Sequence, residues 1–227
     1  MTSITLYTYF RSSCSARLRI ALALKNLPYA AIPINLLKDE QHSAQNTINP
    51  SATVPTLIIS SSSPNSTTNN TEVTITQSLA ALEYLEEAFP ATPSLLPPVT
   101  DPSTRALVRT LSHIIACDVQ PVTNLRILKR VAPFGVDRAA WSKELIEDGF
   151  RAYEALAVGA AGKFSVGDAI TMADVCLIPA VWGAQRVGVD LGMYPTIERV
   201  ARNLEEVEAV KVGHWRTQED TPEEFRV

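Results

Sequence analysis

Residues 4–25 read ITLYTYFRSSCSARLRIALALK, and how this stretch divides decides the fold. Its first seven residues alternate apolar and polar positions and are rich in aromatic and β-branched types, which predicts a strand. Over residues 15–26 the period changes, and Leu18, Ala21, Leu22 and Lys25 share one helical face. A strand therefore runs into a helix across Arg11-Ser12-Ser13-Cys14. Three arginines, Arg11, Arg17 and Arg19, crowd a helix start whose macrodipole is already positive. Two hydroxyls and a thiol sit in the same place. Such a junction stabilises anions and lowers the pKa of a thiol, either Cys14 itself or a thiol ligand held by the serines. Serine at a helix start is equally what simple capping requires.

Working outward, "YAAIPINLL" (29–37), "TVPTLIIS" (53–60) and "EVTITQ" (72–77) read as further strands. "SLAALEYLEEAF" (78–89) reads as a helix with Leu79, Leu82, Leu85 and Phe89 on its apolar side. Between the third and fourth strands, "SSSSPNSTTNN" (60–70) is too polar to enter a core and is expected to be a long hairpin loop. The order β-α-β then β-β-α fits a thioredoxin-like α/β unit over residues 1–90. Proline-rich residues 91–103 read as a linker. Beyond it strand signals vanish, so residues 104–227 are expected to form an all-helical domain.

In that second part, Leu107, Leu111, Ile114 and Ile115 mark a helix interrupted near Pro121, and Trp141, Leu145, Tyr153 and Leu156 mark another. "ITMADVCLIPAVWGAQ" (170–185) is apolar nearly all round and so central, with Thr171 and Asp174 spaced as a capping box. "PTIERVARNLEEVEAV" (195–210) reads as a last amphipathic helix.

Composition narrows the function. The chain has 227 residues, 46% of them hydrophobic, and a net charge of −4. No apolar run is long enough to span a bilayer, and the N-terminus lacks a signal-peptide layout, so a cytoplasmic location is expected. Cys14, Cys117 and Cys176 offer no disulfide framework and no zinc spacing, and no metal is expected. Two sequons, at Asn65 and Asn69, read as loop composition only. Residues 1–38 contain no acid, against Arg11, Arg17, Arg19, Lys25 and Lys38, which points to an anionic ligand near the first segment. The acidic total and the lack of a dense basic run exclude a nucleic-acid surface. His42, His113 and His214 read as structural or surface residues.

Two further features join the Ser12–Cys14 junction. Pro55 after Val54 stands at a strand start, where a cis bond would leave the Val54 backbone free to pair with an extended peptide. Gln77 and Ser78 precede a helix, where Ser78 is a plausible N-cap and the pair could receive a carboxylate. In a thioredoxin-like sheet these three places lie along one edge. A thiol, a peptide backbone and a carboxylate would meet them in that order, and glutathione presents those three groups.

The chain resembles the zeta-class glutathione transferases along nearly its whole length. "SSCSARLRIALALK" looks like the class signature, and "PINLLKDEQ", "NPSATVPTLI", "TQSLAALEYLEE", "DVQPVTNLRILK", "VGDAITMADVCLIPAV" and "YPTI" match in order and spacing. The resemblance implies the glutathione transferase architecture, glutathione as cofactor and a homodimer. It implies cis–trans isomerisation of maleylacetoacetate, a dicarboxylate, to fumarylacetoacetate in tyrosine and phenylalanine breakdown. The alternative is a transferase acting on small electrophiles such as 2-haloacids. A thiol–disulfide oxidoreductase would lack the resolving cysteine of CxxC. Carried over position by position, Ser13 would hold the thiolate, with Ser12, Cys14, Ser15 and Arg17 around it. Gln41, Val54, Gln77 and Ser78 would bind the peptide. Gln120, Asn124, Leu125 and Arg126 would reach glutathione from the helical domain, and Arg17 and Arg186 would bind substrate carboxylates. The sequence departs from the family at Ala16, usually aromatic, in a shorter segment around Gln41, and in the insertion at 60–71.

Overall fold

A computed structural model describes residues 2–43, 48–62 and 70–226, with the side chains of residues 62 and 70 left aside. The chain divides into two compact units: Met1–Pro93 together with Ala209–Val227, and Ser94–Glu208. The last stretch thus groups with the sheet and not with the helices it follows in sequence.

The first unit holds a four-stranded sheet in the order β2-β1-β3-β4. Strand β1 (Thr2–Thr8) pairs parallel with β2 (Ala30–Pro33) and antiparallel with β3 (Thr56–Ser62), which pairs antiparallel with β4 (Asn70–Ile75). Alternation along β1 buries Ile4, Leu6 and Thr8. Leu6 stands opposite Leu57, which in turn faces Ile75. Helix α1 (Ser13–Leu24) and α2 (Ser78–Ala88) complete the core with Leu18, Leu22, Ala81, Leu82 and Leu85, all fully enclosed.

Several boundaries differ from expectation. Helix α1 begins at residue 13, not 15, because Ser12 is its N-cap. Strand β2 is four residues long, ending where Ile34 donates to the Thr8 carbonyl. Strands β3 and β4 extend into the flanks of the polar stretch, while residues 63–69, which include both sequon asparagines, lie outside the described residues.

The second unit is helical. Helix α3 (Pro102–His113) is capped by Asp101 and runs on through a π-helical turn, Ile114–Val119, into α4 (Gln120–Thr123). The chain does not break at Pro121, which sits in the first turn of α4 where its missing N–H is harmless. It breaks at Asn124, which turns to an extended conformation and caps α5 (Leu125–Val131). The π turn packs on α6 (Arg138–Ala157) at Gly149, where a Cβ would stand 2.1 Å from Val119 Cγ2. The buried face of α6 is Ser142, Ile146, Gly149, Phe150, Tyr153 and Ala157. Leu156, expected there, is exposed.

Helix α7 (Met172–Arg186) is buried nearly all round, as its sequence predicts. At its start the Asp174 carboxylate accepts from Thr171 N–H (2.8 Å), Thr171 Oγ1 (3.0 Å) and Ser165 N–H (2.8 Å). The last expected helix is two, α8 (Pro195–Glu205) and α9 (Glu208–Gly213).

Candidate active site

The first unit brings most of the expected residues to the same end of its sheet. At the start of α1, Ser12 Oγ accepts from Ser15 N–H at 3.2 Å and so does the work of a cap. Ser13 and Cys14 occupy the first helical turn, half-buried. Neither the Ser13 hydroxyl nor the amides of Ser13 and Cys14 hydrogen-bond to any described residue. A helix start with open donors and a free hydroxyl is an anion site. Ser15 and Ala16 are enclosed. Ala16, at 2% exposure, is a core residue.

The arginines do not stand where the charge pattern suggested. Arg17 is 1% exposed and its Nη1 donates to Ser78 Oγ at 3.0 Å, tying the start of α2 to α1. Ser78 is the first residue of α2 and not its cap. Gln77 holds the cap position, exposed, without a side-chain cap bond. Arg19 is fully enclosed, and four oxygens surround its guanidinium: Thr8 Oγ1 and the carbonyls of Tyr9, Phe10 and Gly213. Burial pulls its pKa down to about 10, so it remains a cation at neutral pH. It is an internal strut. Sequence could have flagged it, since a guanidinium between enclosed neighbours Leu18 and Ile20 must find buried oxygens. Arg11 stays half-buried beside the Phe10 ring. Burial raises the pKa of Tyr9, partly opposed by Arg11, and its hydroxyl is buried without a described hydrogen-bond partner.

The Val54–Pro55 bond is cis. The main chain of Val54 makes no hydrogen bond to a described residue. Val54 lines a small cleft with Tyr7, Ile34, Gln41, Asn49 and Thr56. Gln41, in a single turn of 3-10 helix (Glu40–His42), donates from Nε2 to Asp39 at 3.2 Å. Its Oε1 is buried with no described hydrogen-bond partner. An enclosed amide oxygen without a donor is unfavourable. The residues present thus fit a peptide carrying a thiol: open donors and a hydroxyl for the sulfur, a main chain at Val54 without a described hydrogen bond, and an unpaired acceptor at Gln41.

In the helical unit, Gln120 and Leu125 are half-buried and Arg126 is exposed. Asn124 is committed internally: Oδ1 accepts from Ile127 N–H (3.0 Å) and Nδ2 donates to the Pro121 carbonyl (2.8 Å). Arg186 ends α7, exposed, where a cation suits the helix dipole, and Nη1 donates to the Trp182 carbonyl. His113 is exposed, and its Nδ1 lies 2.7 Å from the Arg109 carbonyl oxygen.

The sequence reading missed Asp220. Its carboxylate accepts the Phe10 N–H at 2.8 Å, two residues before the Ser12 cap. A contact across 210 positions leaves no local signal.

Residues 11–88 match the family described as Glutathione S-transferase, N-terminal domain. The chain is 71% identical to the maleylacetoacetate isomerase of Emericella nidulans, over 98% of this chain and 96% of that one. Among solved structures it is similar to a bacterial maleyl pyruvate isomerase of the zeta class, solved in a holo form, with a TM-score of 0.84 and 38% identity over 96% and 100% of the two chains. It is also similar to the maleylacetoacetate isomerase of Anaeromyxobacter dehalogenans 2CP-1, solved with dicarboxyethyl glutathione and citrate bound. There the TM-score is 0.86 and the identity 34%, over 98% of this chain and 95% of the other. This chain belongs to the zeta class of the glutathione transferases, the family of the maleylacetoacetate isomerases.

Proposed function

We propose that the protein is a glutathione-dependent cis–trans isomerase converting maleylacetoacetate to fumarylacetoacetate in tyrosine and phenylalanine breakdown, acting as a cytoplasmic homodimer. The observation that carries the chemistry is the start of α1, where a free Ser13 hydroxyl and two open amides stand beside a serine already used as a cap. The choice of substrate follows the relative that is 71% identical.

Bound glutathione supplies a thiolate that adds reversibly to the activated cis double bond, so that rotation about the resulting single bond precedes release of the trans product. The chain's own residues make that thiolate available. Ser13 Oγ donates to the sulfur, and the helix-start amides of Ser13 and Cys14 favour its negative charge. Cys14 is the neighbouring thiol and not the nucleophile. Val54 pairs with the peptide backbone, Gln41 accepts one of its N–H groups through Oε1, and Gln77 and the first amides of α2 receive a carboxylate. Arg17, enclosed beneath Ser78, holds that hydroxyl in place, so its part in ligand binding passes through Ser78. Gln120, Leu125 and Arg126 are assigned to glutathione from the helical unit, and Asn124 shapes their turn. Arg186 supplies the exposed cation for a substrate carboxylate and the developing enolate.

The test is turnover of maleylacetoacetate by the purified protein with and without glutathione. Turnover that needs glutathione without consuming it is expected. No turnover, or turnover independent of glutathione, refutes the reading. Faster conversion of dichloroacetate would favour the haloacid transferase instead. Light scattering decides the homodimer.

A further inference from the structure

The C-terminal stretch of the chain folds onto the strand-to-helix junction and grips it from two sides. The Phe10 N–H donates to Asp220 Oδ2 at 2.8 Å, and the Phe10 carbonyl accepts from Arg19 Nη2 at 3.0 Å. Both backbone groups of this residue are therefore held by charged side chains. Arg19 Nη1 reaches the Tyr9 carbonyl at 3.3 Å, while Nε reaches the Gly213 carbonyl at 3.2 Å. One guanidinium thus joins the junction to the C-terminal stretch. Ring contacts repeat the connection: Phe10 lies against Trp215, which lies against Phe225. Gly213 approaches α1 so closely that a Cβ there would stand 2.5 Å from Ile20 Cγ1 and 3.1 Å from Ile20 N. The Ser12 N–H closes the same turn onto the Tyr9 carbonyl at 3.0 Å. Whatever fixes residues 9–10 fixes the cap, and with it the direction of the Ser13 hydroxyl and the open amides.

We propose that Asp220, carried by the C-terminal stretch Ala209–Arg226, is a positioning residue for the thiolate site, acting through the Phe10 amide and in concert with Arg19. The proposal rests on the reading that the start of α1 holds the glutathione sulfur. A carboxylate bonded to a backbone N–H is a charge-assisted contact that fixes direction as well as distance. Losing it leaves the Phe10 backbone held only through its carbonyl, so the cap and the donors behind it sample orientations that do not face the sulfur.

The experiment compares the full chain with Asp220→Ala, Asp220→Ser and Asp220→Asn. Four quantities are read: glutathione affinity, the pKa of the bound thiol from thiolate absorbance, amide exchange over residues 9–15, and thermal stability. Alanine has no acceptor, and serine falls short of the Phe10 N–H. Asparagine keeps an oxygen at the right reach. Alanine and serine are expected to weaken glutathione binding about 10-fold, raise the bound thiol's pKa and speed exchange over 9–15. Asparagine is expected to restore most of each. A merely structural residue would lower thermal stability without moving the thiol's pKa. Unchanged affinity and thiol pKa in alanine or serine, whichever of the two folds, overturns the positioning role. Failure of the unsubstituted protein to bind glutathione refutes instead the site reading beneath it.

Discussion

Ser12 and Ser13 are adjacent and chemically identical, yet the structure gives them opposite assignments, so replacing each by alanine should produce opposite results. Ser12 Oγ is occupied by the Ser15 N–H at 3.2 Å. Its loss removes an N-cap worth about 1 kcal/mol, or a fall in Tm of about 2–4 °C for a chain of this size. Ser13 Oγ has no described hydrogen-bond partner, so Ser13→Ala leaves Tm unchanged. It removes instead a hydrogen bond to a charged sulfur, worth about 1.5–3 kcal/mol. At about 1.4 kcal/mol per pKa unit, the bound thiol's pKa rises by about 1–2 units, and at pH well below the unsubstituted midpoint the thiolate fraction falls about 10–100-fold. The assay titrates the thiolate absorbance of enzyme-bound glutathione against pH for both variants, alongside thermal melts. An unmoved thiol pKa in Ser13→Ala refutes the reasoning. So does a larger thiol shift in Ser12→Ala than in Ser13→Ala.

Asp174→Ala strands the Thr171 and Ser165 amides in a fully enclosed site and should cost about 3–5 kcal/mol, read as a fall in Tm of about 10 °C. Burial holds the Asp174 carboxyl above its ordinary pKa, outweighing the donors that lower it. The folded protein therefore binds that proton more tightly than the unfolded chain. This group's stabilisation is then greatest below about pH 4 and declines as pH rises toward the folded value, a slope that unfolding titrations should show and Asp174→Ala should lack. Arg186→Ala should raise KM for the dicarboxylate about 10–100-fold with glutathione affinity unchanged, measured by steady-state kinetics and equilibrium binding. The pKa of bound glutathione should move little between about 0.05 M and about 0.5 M salt, because Arg17 and Arg19 in α1 are enclosed and ions in solution screen them weakly.

Much of the fold was legible because it rests on periodicity. Alternation announced β1, and the helical spacing of Leu82 and Leu85 announced α2. Gln77-Ser78 and Val54-Pro55 were found because capping residues and a strand-starting proline have local causes. What sequence did not show depends on contacts between distant residues. The π turn at Ile114–Val119 is set against Gly149, and nothing in "IIACDV" distinguishes it from ordinary helix. The break between α8 and α9 carries no glycine or proline, since "NLEEVEAV" keeps its helical period through it. Leu156 has the right spacing for the α6 face yet is exposed, because Ala157 one position on is the residue turned inward. Within the candidate site, the sequence cannot separate Ser12 from Ser13, because only the folded turn brings the Ser15 N–H to the Ser12 hydroxyl.

The basic opening of the chain changes meaning once its partners are known. Three of the five cations before residue 39 are enclosed struts. Arg17 reaches Ser78, Arg19 reaches four oxygens, and Lys25 pairs with Glu86 at 2.5 Å while donating to Thr92 and to the Pro93 carbonyl. An exposed arginine at a helix start would stabilise an anion through water and salt, and weakly. An enclosed one acts through a medium that screens it far less, and it cannot swing away. Arg17 therefore adds positive potential under the two helix starts without occupying the space a ligand needs. Arg19 donates to the carbonyls of Tyr9 and Phe10, while the amides of Ser13 and Cys14 have no described partner. On the proposed reading, the charge that looked misplaced at the positive end of α1 is an enclosed scaffold, and the groups offered to the sulfur, the Ser13 hydroxyl and two amides, are neutral.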